Sequence, residues 1–266
     1  MGYVWSSEQI ASYESYYKEV VYHFSGLSLG FTTTPDFVRS VLPPCLEPAP
    51  EPKGIVTLTL GRESWKGMPT VAEEENTGGV WLYASHGGVV GLYSLTVIVN
   101  GDMNVATGRE SWGMPKKRGE SMILNDGEQV YAFTERRGTR LIEISGTLGA
   151  QVEAFEEDLP LFELKGWLAP DGNGLQDDPV LVVFDTHTQY RWAREVEAAV
   201  QLTGTIEDPV GDIPIVSADE ALLFAGSETF RLREQMVLAE RDVYRPYIYG
   251  RSYDNWTERI KTTHEA

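Results

Sequence analysis

The sequence has little cysteine and little positive charge. Cys45 is the single cysteine among 266 residues, so no disulfide can form within the chain. The 22 lysines and arginines stand against 40 aspartates and glutamates, which gives a net charge of −18. Nucleic acids and anionic membranes bind basic surfaces, so this composition disfavours both as partners.

Long apolar runs are also missing. The longest apolar stretch, residues 87–99, is interrupted by polar side chains and is far shorter than the roughly 20 residues of a membrane-spanning helix. The first ten residues, MGYVWSSEQI, lack the basic and apolar segments of a signal peptide. We therefore expect a cytoplasmic protein. No stretch has the composition of a linker, which predicts one domain over residues 1–266.

Common catalytic and cofactor motifs are few. The four histidines form no HExxH motif or other recognisable metal-ligand spacing, and neither a P-loop nor a GxGxxG motif occurs. We therefore expect no metal ion and no nucleotide cofactor. The segment Gly26 to Gly30, GLSLG, matches a nucleophile elbow, but it lies too near the N-terminus for a hydrolase sheet to precede it. A glycine-flanked turn leading into a buried strand explains it better.

The hydrophobic pattern is mostly that of strands. Without alternating βαβ units, an antiparallel sheet with a few flanking helices fits best. The predicted strands cover residues 53–60, 80–84, 92–99, 129–135, 139–148, 180–185 and 196–206.

Helix signals cluster near the two ends of the chain. Residues 7–19 can form a polar helix, and Thr34 caps a second helix that begins at Pro35. A capping box at residues 217–220 predicts a helix of 8–12 residues. The tyrosine-rich stretch 244–253 is predicted as a last strand or a covering arm.

One pentapeptide occurs twice. GRESW is found at residues 61–65 and again at 108–112. A repeat protein needs at least about three copies, so we interpret the pair as coincidence or local mimicry.

The second copy leads into an unusual pair of lysines. Lys116 and Lys117 follow Pro115 beside the apolar Trp112 and Met114. A charged turn is one interpretation, and an amine nucleophile is the other. A free lysine, with a pKa near 10.4, is neutral in only about one molecule in 2,500 at pH 7. Desolvation and a nearby cation are the two physical means of making it reactive.

Residues 106–117, ATGRESWGMPKK, resemble the signature of the acetoacetate decarboxylase family, a GRE run followed by PKK. The enzyme that names this family is the standard example of a lysine activated by desolvation or a neighbouring cation. Residues 34–43 resemble the early helix of that family, and residues 212–216 resemble its late DLPV segment. The resemblance extends from about residue 30 to about residue 245.

The resemblance implies a fold and a site. The fold is α+β and mainly β, a strongly curved antiparallel sheet or barrel that encloses a pocket, with short flanking helices. Lys116 is implied as the Schiff-base lysine, Lys117 as its cationic neighbour, and Glu75, in the loop before the next strand, as the catalytic carboxylate. We expect Lys116 to be buried against Trp112 and Met114.

The resemblance also implies a function. It indicates a carbon–carbon lyase that forms an imine with a keto acid or a related small carbonyl substrate. The implied reaction is decarboxylation of a β-keto acid, and no cofactor is needed. Tyr93 and Tyr247 are candidates for substrate contact and proton transfer. The family forms multimers, so a homo-oligomer is expected.

Two departures from the family pattern keep other functions open. Residues 21–30 contain no arginine, and the early strand KGIVTLTL contains no glutamate, although decarboxylases of the family carry both. An aldolase-dehydratase is the nearest alternative. A cyclase or isomerase of secondary metabolism could use the same pocket, and a non-catalytic binding module is the remaining possibility.

Overall fold

The computed structural model describes residues 2–65, 68–258 and 260. The helices are α1 Ser7–Glu19, α2 Pro35–Val41, α3 Asp102–Thr107 and α4 Arg241–Ser252, with a π-helical turn at Gly108–Trp112 and a 3-10 turn at Val210–Asp212. The strands are β1 Val20–Thr32, β2 Glu47–Pro48, β3 Lys53–Trp65, β4 Met68–His86, β5 Val89–Val99, β6 Lys116–Arg118, β7 Glu120–Asn125, β8 Gln129–Arg136, β9 Thr139–Val152, β10 Phe155–Asp158, β11 Leu161–Lys165, β12 Val180–Leu202 and β13 Ser217–Val237.

Seven of these strands close into a barrel. Their hydrogen-bonded order is β11, β5, β4, β3, β1, β13 and β12, and β12 pairs again with β11. The barrel pairings are antiparallel except for the short contact between β11 and β5. This confirms the predicted curved, mainly antiparallel sheet with short helices.

The sheet continues past the barrel and folds back over it. Strand β12 also pairs with β9, which leads to β8 and β7, and β7 lies against β3, β4 and β5. The main hydrophobic core fills the space between the two layers. Its barrel members are Leu27, Leu29, Phe31, Val56, Leu58, Val80, Leu82 and Ile98, and its outer members include Val130, Ala132, Leu141, Ile142, Ile144 and Val196.

Alternation along a strand gives the barrel wall two chemically different faces. On β3, Val56 and Leu58 point outward into the core, while Ile55, Thr57 and Thr59 line the barrel interior. Successive side chains of a strand point to opposite sides, so one sequence pattern serves both surfaces. The outward face stabilises the fold, and the inward face is free to carry polar groups.

Helix α4 is fastened to the barrel by a buried arginine. Arg251 donates through Nη1 to the backbone oxygen of Ser94 at 2.6 Å and through Nη2 to that of Leu164 at 3.3 Å. Its Nη1 also lies 3.8 Å from a carboxylate oxygen of the fully buried Glu163. The Ser94 hydroxyl donates to the other oxygen of Glu163. Burial raises the pKa of Glu163 to about 8, while Arg251 and Ser94 act against that rise.

The structure confirms most of the predicted elements and corrects several. Residues 217–220 begin strand β13 and not a helix, because β1 and β12 pair with this segment from both sides. Residues 180–202 form one strand with bulges, where the sequence predicted separate strands at 180–185 and 196–206. The stretch 244–253 lies mainly in helix α4, whose buried side chains recur at Tyr244, Ile248 and Arg251.

The GLSLG segment lies within β1, not in a turn, and pairs continuously with β3. None of the helices in the described ranges combines the length and apolar character needed to cross a bilayer.

We predict that Gly78→Ala destabilises the protein by about 1–3 kcal/mol, the usual cost of overpacking a core. Gly78 lies where the two layers meet, and an added Cβ would overlap the Thr134 hydroxyl, which is hydrogen-bonded to Ser121. Urea denaturation measures the effect. Gly30→Ala is the control, since its Cβ would meet only ordinary contacts, and equal stability losses in both variants would contradict the packing argument.

We predict a pH-dependent stability gain for Glu163→Gln. In the unfolded chain a glutamate ionises above its ordinary pKa of 4.5, whereas Glu163 in the fold stays protonated up to about pH 8. Wild-type protein therefore loses stability as pH rises through this window, and the glutamine variant does not.

The stability of Glu163→Gln relative to wild type should rise by on the order of 2–4 kcal/mol between pH 5 and pH 8. Denaturant titrations at both pH values measure this, with the exposed Glu120→Gln as control. A difference that does not change with pH would contradict the assignment.

Candidate active site

The barrel encloses a cavity of about 240 Å³. Its walls combine aromatic side chains, threonines and carboxylates. The lining residues that matter below are Tyr22, Phe24, Thr59, Glu75, Thr77, Ser94, Trp112, Met114, Lys116, Glu157, Thr188, Tyr190, Phe224, Glu228 and Phe230. The predicted site residues Lys116, Glu75, Trp112 and Met114 therefore meet in one place.

Local backbone geometry aims Lys116 into this cavity. The π-helical turn ends at Gly113, whose φ of +80° reverses the chain in a conformation that glycine adopts readily. The chain then enters β6, where Lys116 pairs in parallel with Val97 of β5. The Lys116 side chain passes directly over Gly108, where a Cβ would collide with its methylenes.

The amine of Lys116 is paired with the carboxylate of Glu75. Lys116 Nζ lies 2.9 Å from Glu75 Oε1 and 2.7 Å from Oε2. Their side chains are only 9% and 12% exposed. The sequence comparison placed Glu75 in a loop, but the structure places it within strand β4. A strand therefore holds its carboxylate in position.

Neighbouring hydroxyls hold Glu75 and its backbone. Thr77 donates to Glu75 Oε1 at 3.2 Å, and Tyr22 donates to the Glu75 backbone oxygen at 2.8 Å. The Tyr22 hydroxyl also meets Thr59 Oγ1 at 2.9 Å. Burial, reinforced by the charge of Glu75, raises the pKa of Tyr22, which keeps the phenol protonated.

Trp112 and Met114 form an apolar part of the wall. Met114 is buried, and the Trp112 ring lies 4.9 Å from Phe184 and 5.2 Å from Phe230, measured between centroids. They belong to one small cluster with Leu161. This cluster removes water from one side of the cavity.

Lys117 points to the other face of β6. Its Nζ donates to the backbone oxygen of Glu207 at 2.6 Å and to Asp208 Oδ1 at 3.0 Å, and Asp254 lies at 3.6 Å. Arg136 joins the same network through Asp208 and Asp254. Successive residues of a strand face opposite ways, so the positive charge of Lys117 is balanced by carboxylates outside the cavity.

Tyr93 and Tyr247 also lie outside the cavity. Tyr93 is fully buried on the opposite face of β5 from Ser94, and the Arg251 guanidinium stacks 4.5 Å above its ring. Tyr247, on α4, packs against a second hydrophobic cluster, which contains Tyr93, Phe162 and Ile248. Neither tyrosine is placed to touch a molecule bound beside Lys116.

Sequence reasoning missed Tyr22 and Glu228. Along β1, side chains point alternately into the barrel and out of it. Once this strand was recognised, the alternation could have placed the Tyr22 side chain in the barrel interior. Glu228 lies on β13, which the capping box had assigned in part to a helix. Helical spacing would not have put Phe224, Glu228 and Phe230 on one wall, whereas strand spacing does.

The cavity is rich in carboxyl groups and poor in cations. Its described lining includes Glu63, Glu75, Glu157 and Glu228, and Lys116 is the one lysine or arginine among the described lining residues. Burial raises the pKa of Glu228 to about 7, and the charge of Glu157 adds to this. The structure thus brings no arginine from elsewhere into the described lining to replace the one missing from residues 21–30.

Comparison with known proteins identifies the family. The family model described as acetoacetate decarboxylase (ADC) matches residues 8–240. No curated protein matches the sequence significantly.

Several solved structures share the fold. Acetoacetate decarboxylase from Legionella pneumophila is 17% identical, with a TM-score of 0.68 and coverage of 83% of this chain and 87% of its own. The enduracididine biosynthesis enzyme MppR complexed with pyruvate is 15% identical, with a TM-score of 0.69 and coverage of 83% and 90%. An acetoacetate decarboxylase-like enzyme from Sphingomonas wittichii is 16% identical, with a TM-score of 0.65 and coverage of 84% and 93%. These identities support a common fold alone, whereas the family model spans most of the sequence, and the chain therefore belongs to the acetoacetate decarboxylase family.

Proposed function

We propose that this protein is a Schiff-base lyase in which Lys116 forms an imine with a small carbonyl substrate. The observation that carries this proposal is the position of the Lys116 amine, inside a closed barrel and within 2.9 Å of both oxygens of Glu75. A lysine is rarely buried without a specific partner. Here the partner is a carboxylate that can exchange a proton with it.

The first step moves a proton from Lys116 to Glu75. The neutral amine then attacks the carbonyl carbon, forming the carbon–nitrogen bond, and a proton of the attacking nitrogen passes to the carbonyl oxygen to give a neutral carbinolamine. Glu75 returns its proton as the hydroxyl leaves as water, which yields the protonated imine. A carboxylate within hydrogen-bond distance of the amine has the geometry that general acid–base catalysis requires.

The protonated imine then serves as an electron sink. Cleavage of a bond next to the former carbonyl leaves an electron pair that the iminium nitrogen accepts, giving an enamine. Protonation of the enamine carbon and hydrolysis of the imine release the product and restore Lys116. These steps use the side chains of the cavity and the substrate.

The charge of the cavity favours aldol-type chemistry over decarboxylation of a β-keto acid. A β-keto acid carries a carboxylate, and the described lining offers three further glutamates beside the Lys116–Glu75 pair but no arginine to receive it. Like charges within a few ångströms repel strongly in a poorly solvated site. A carbonyl substrate without a free carboxylate suits this lining better.

We predict that borohydride traps a carbonyl compound on Lys116. Incubation with acetone and borohydride should add the mass of an isopropyl group to the peptide that contains Lys116, as measured by mass spectrometry after digestion. Lys116→Arg should lose this label, because arginine stays protonated and cannot form an imine. Lys53→Arg, which changes an exposed lysine, should be labelled like wild type.

Equal labelling of several surface lysines, or full labelling of another residue in Lys116→Arg, would contradict the proposal. If Lys116→Met still converted the natural substrate of the protein, the cyclase or isomerase interpretation would be favoured, in which the same cavity acts without covalent chemistry.

We predict that Glu75→Gln slows trapping on Lys116 by about 10²–10⁴-fold, the usual contribution of a general acid–base group. Glutamine preserves the size of the side chain but cannot take up the proton of the amine. The matched control is Glu74→Gln, which changes the adjacent exposed carboxylate. Equal trapping rates in Glu75→Gln and wild type would show that the proton goes elsewhere.

A further inference from the structure

Glu228 lies on the inner wall of the barrel, away from the core. It is on β13, where Phe224 and Phe230 face the same cavity. Its direct neighbours across the sheet are Tyr22 on β1 and Thr188 on β12. Side chains directly opposite in neighbouring strands lie about 5 Å apart at Cβ, so these three groups form one patch of the wall.

The carboxylate of Glu228 has hydroxyl partners but no cationic one among the described residues. Thr188 donates to Oε1 at 3.1 Å, and Thr186 is a second hydroxyl neighbour. The carboxylate of Glu75 in the same cavity differs, since it meets the Lys116 amine. A cationic group of a bound molecule would favour the ionised form of Glu228 and supply the positive partner that this carboxylate lacks among the described residues.

Aromatic rings surround the same end of the cavity. Phe224 meets Tyr190 at 5.3 Å and Phe24 at 5.6 Å between ring centroids, and all three line the cavity. Phe230, on the other side of Glu228, continues the wall to Trp112. Ring faces carry negative potential, so aromatic walls beside a carboxylate attract organic cations.

Tyr22 connects this end of the cavity to Lys116. Its ring stands beside Glu228 across the sheet, and its hydroxyl donates to the backbone of Glu75. Both carboxylates also act on the ionisation of Tyr22. The two ends of the cavity are thus separated by about one tyrosine side chain, which a small bifunctional molecule can span.

We propose that the substrate carries an ammonium group, which Glu228 binds between Phe224, Phe230 and Tyr190 while the carbonyl group reaches Lys116. The carbonyl end of this assignment rests on the proposed function. The ammonium end rests on Glu228 and the aromatic wall alone. A substrate with a carboxylate at this position would face Glu228 and Glu157 without a compensating cation in the described lining.

Two ketones that differ only in charge test this proposal. Trimethylammonio-acetone carries the cation, and its neutral isostere has a tert-butyl group in place of the trimethylammonium group. Calorimetry should give tighter binding of the cationic ketone to wild type, by at least about tenfold, as expected for an organic cation held beside a carboxylate and aromatic rings. Glu228→Gln should remove about tenfold of this preference and leave the binding of the neutral ketone unchanged, because glutamine keeps the size of the side chain without its charge.

Two further variants separate this proposal from the proposed function. Lys116→Met cannot form an imine but should keep the preference for the cationic ketone. Glu234→Gln, an exposed carboxylate on the same strand, should behave like wild type in every respect.

The outcomes are distinct. Absence of a preference for the cation in wild type, or an unchanged preference in Glu228→Gln, overturns the ammonium proposal whether or not Lys116 is trapped by borohydride. A preference that Glu228→Gln removes, together with no trapping at Lys116, supports the ammonium site and overturns the imine chemistry.

Discussion

The ion pair between Lys116 and Glu75 is the constraint on which the site depends. An ammonium and a carboxylate can be buried together only when each meets the other at hydrogen-bond distance, since burying either alone is very costly. Strand β4 supplies Glu75 and strand β6 supplies Lys116, and strand β5 pairs with both, so three strands must assemble to form the pair. The same contact that permits burial provides the acceptor for the proton that Lys116 must lose.

The two adjacent lysines lie on opposite faces of strand β6 and have different roles. Lys116 turns into the cavity, and Lys117 turns outward to Asp208 and Asp254. The outward network holds β6 against the 3-10 turn region and the chain after α4. We infer that Lys117 supports the position of Lys116 through the backbone, while its charge is cancelled by its own carboxylates.

The sequence was most informative where one local pattern served one purpose. The PKK run located Lys116, and alternation located strands such as β3 and β8. Local sequence pattern was insufficient where pairing with distant strands determines the secondary structure. GRESW forms the end of strand β3 at 61–65 and a π-helical turn at 108–112, and the capping box at 217–220 is overridden by strands on both sides. Glu228 could not be identified from sequence because its significance depends on the cavity that other strands enclose.

Exchange of the carbonyl oxygen of a ketone with ¹⁸O-labelled water tests the central claim most directly. Each cycle of imine formation and hydrolysis at Lys116 replaces the carbonyl oxygen with one from water, without any requirement for the natural substrate. Wild-type protein should accelerate the exchange of a simple ketone, and Lys116→Met should return it to the rate measured without protein. Exchange at the background rate in wild type, or acceleration retained in Lys116→Met, would contradict the account.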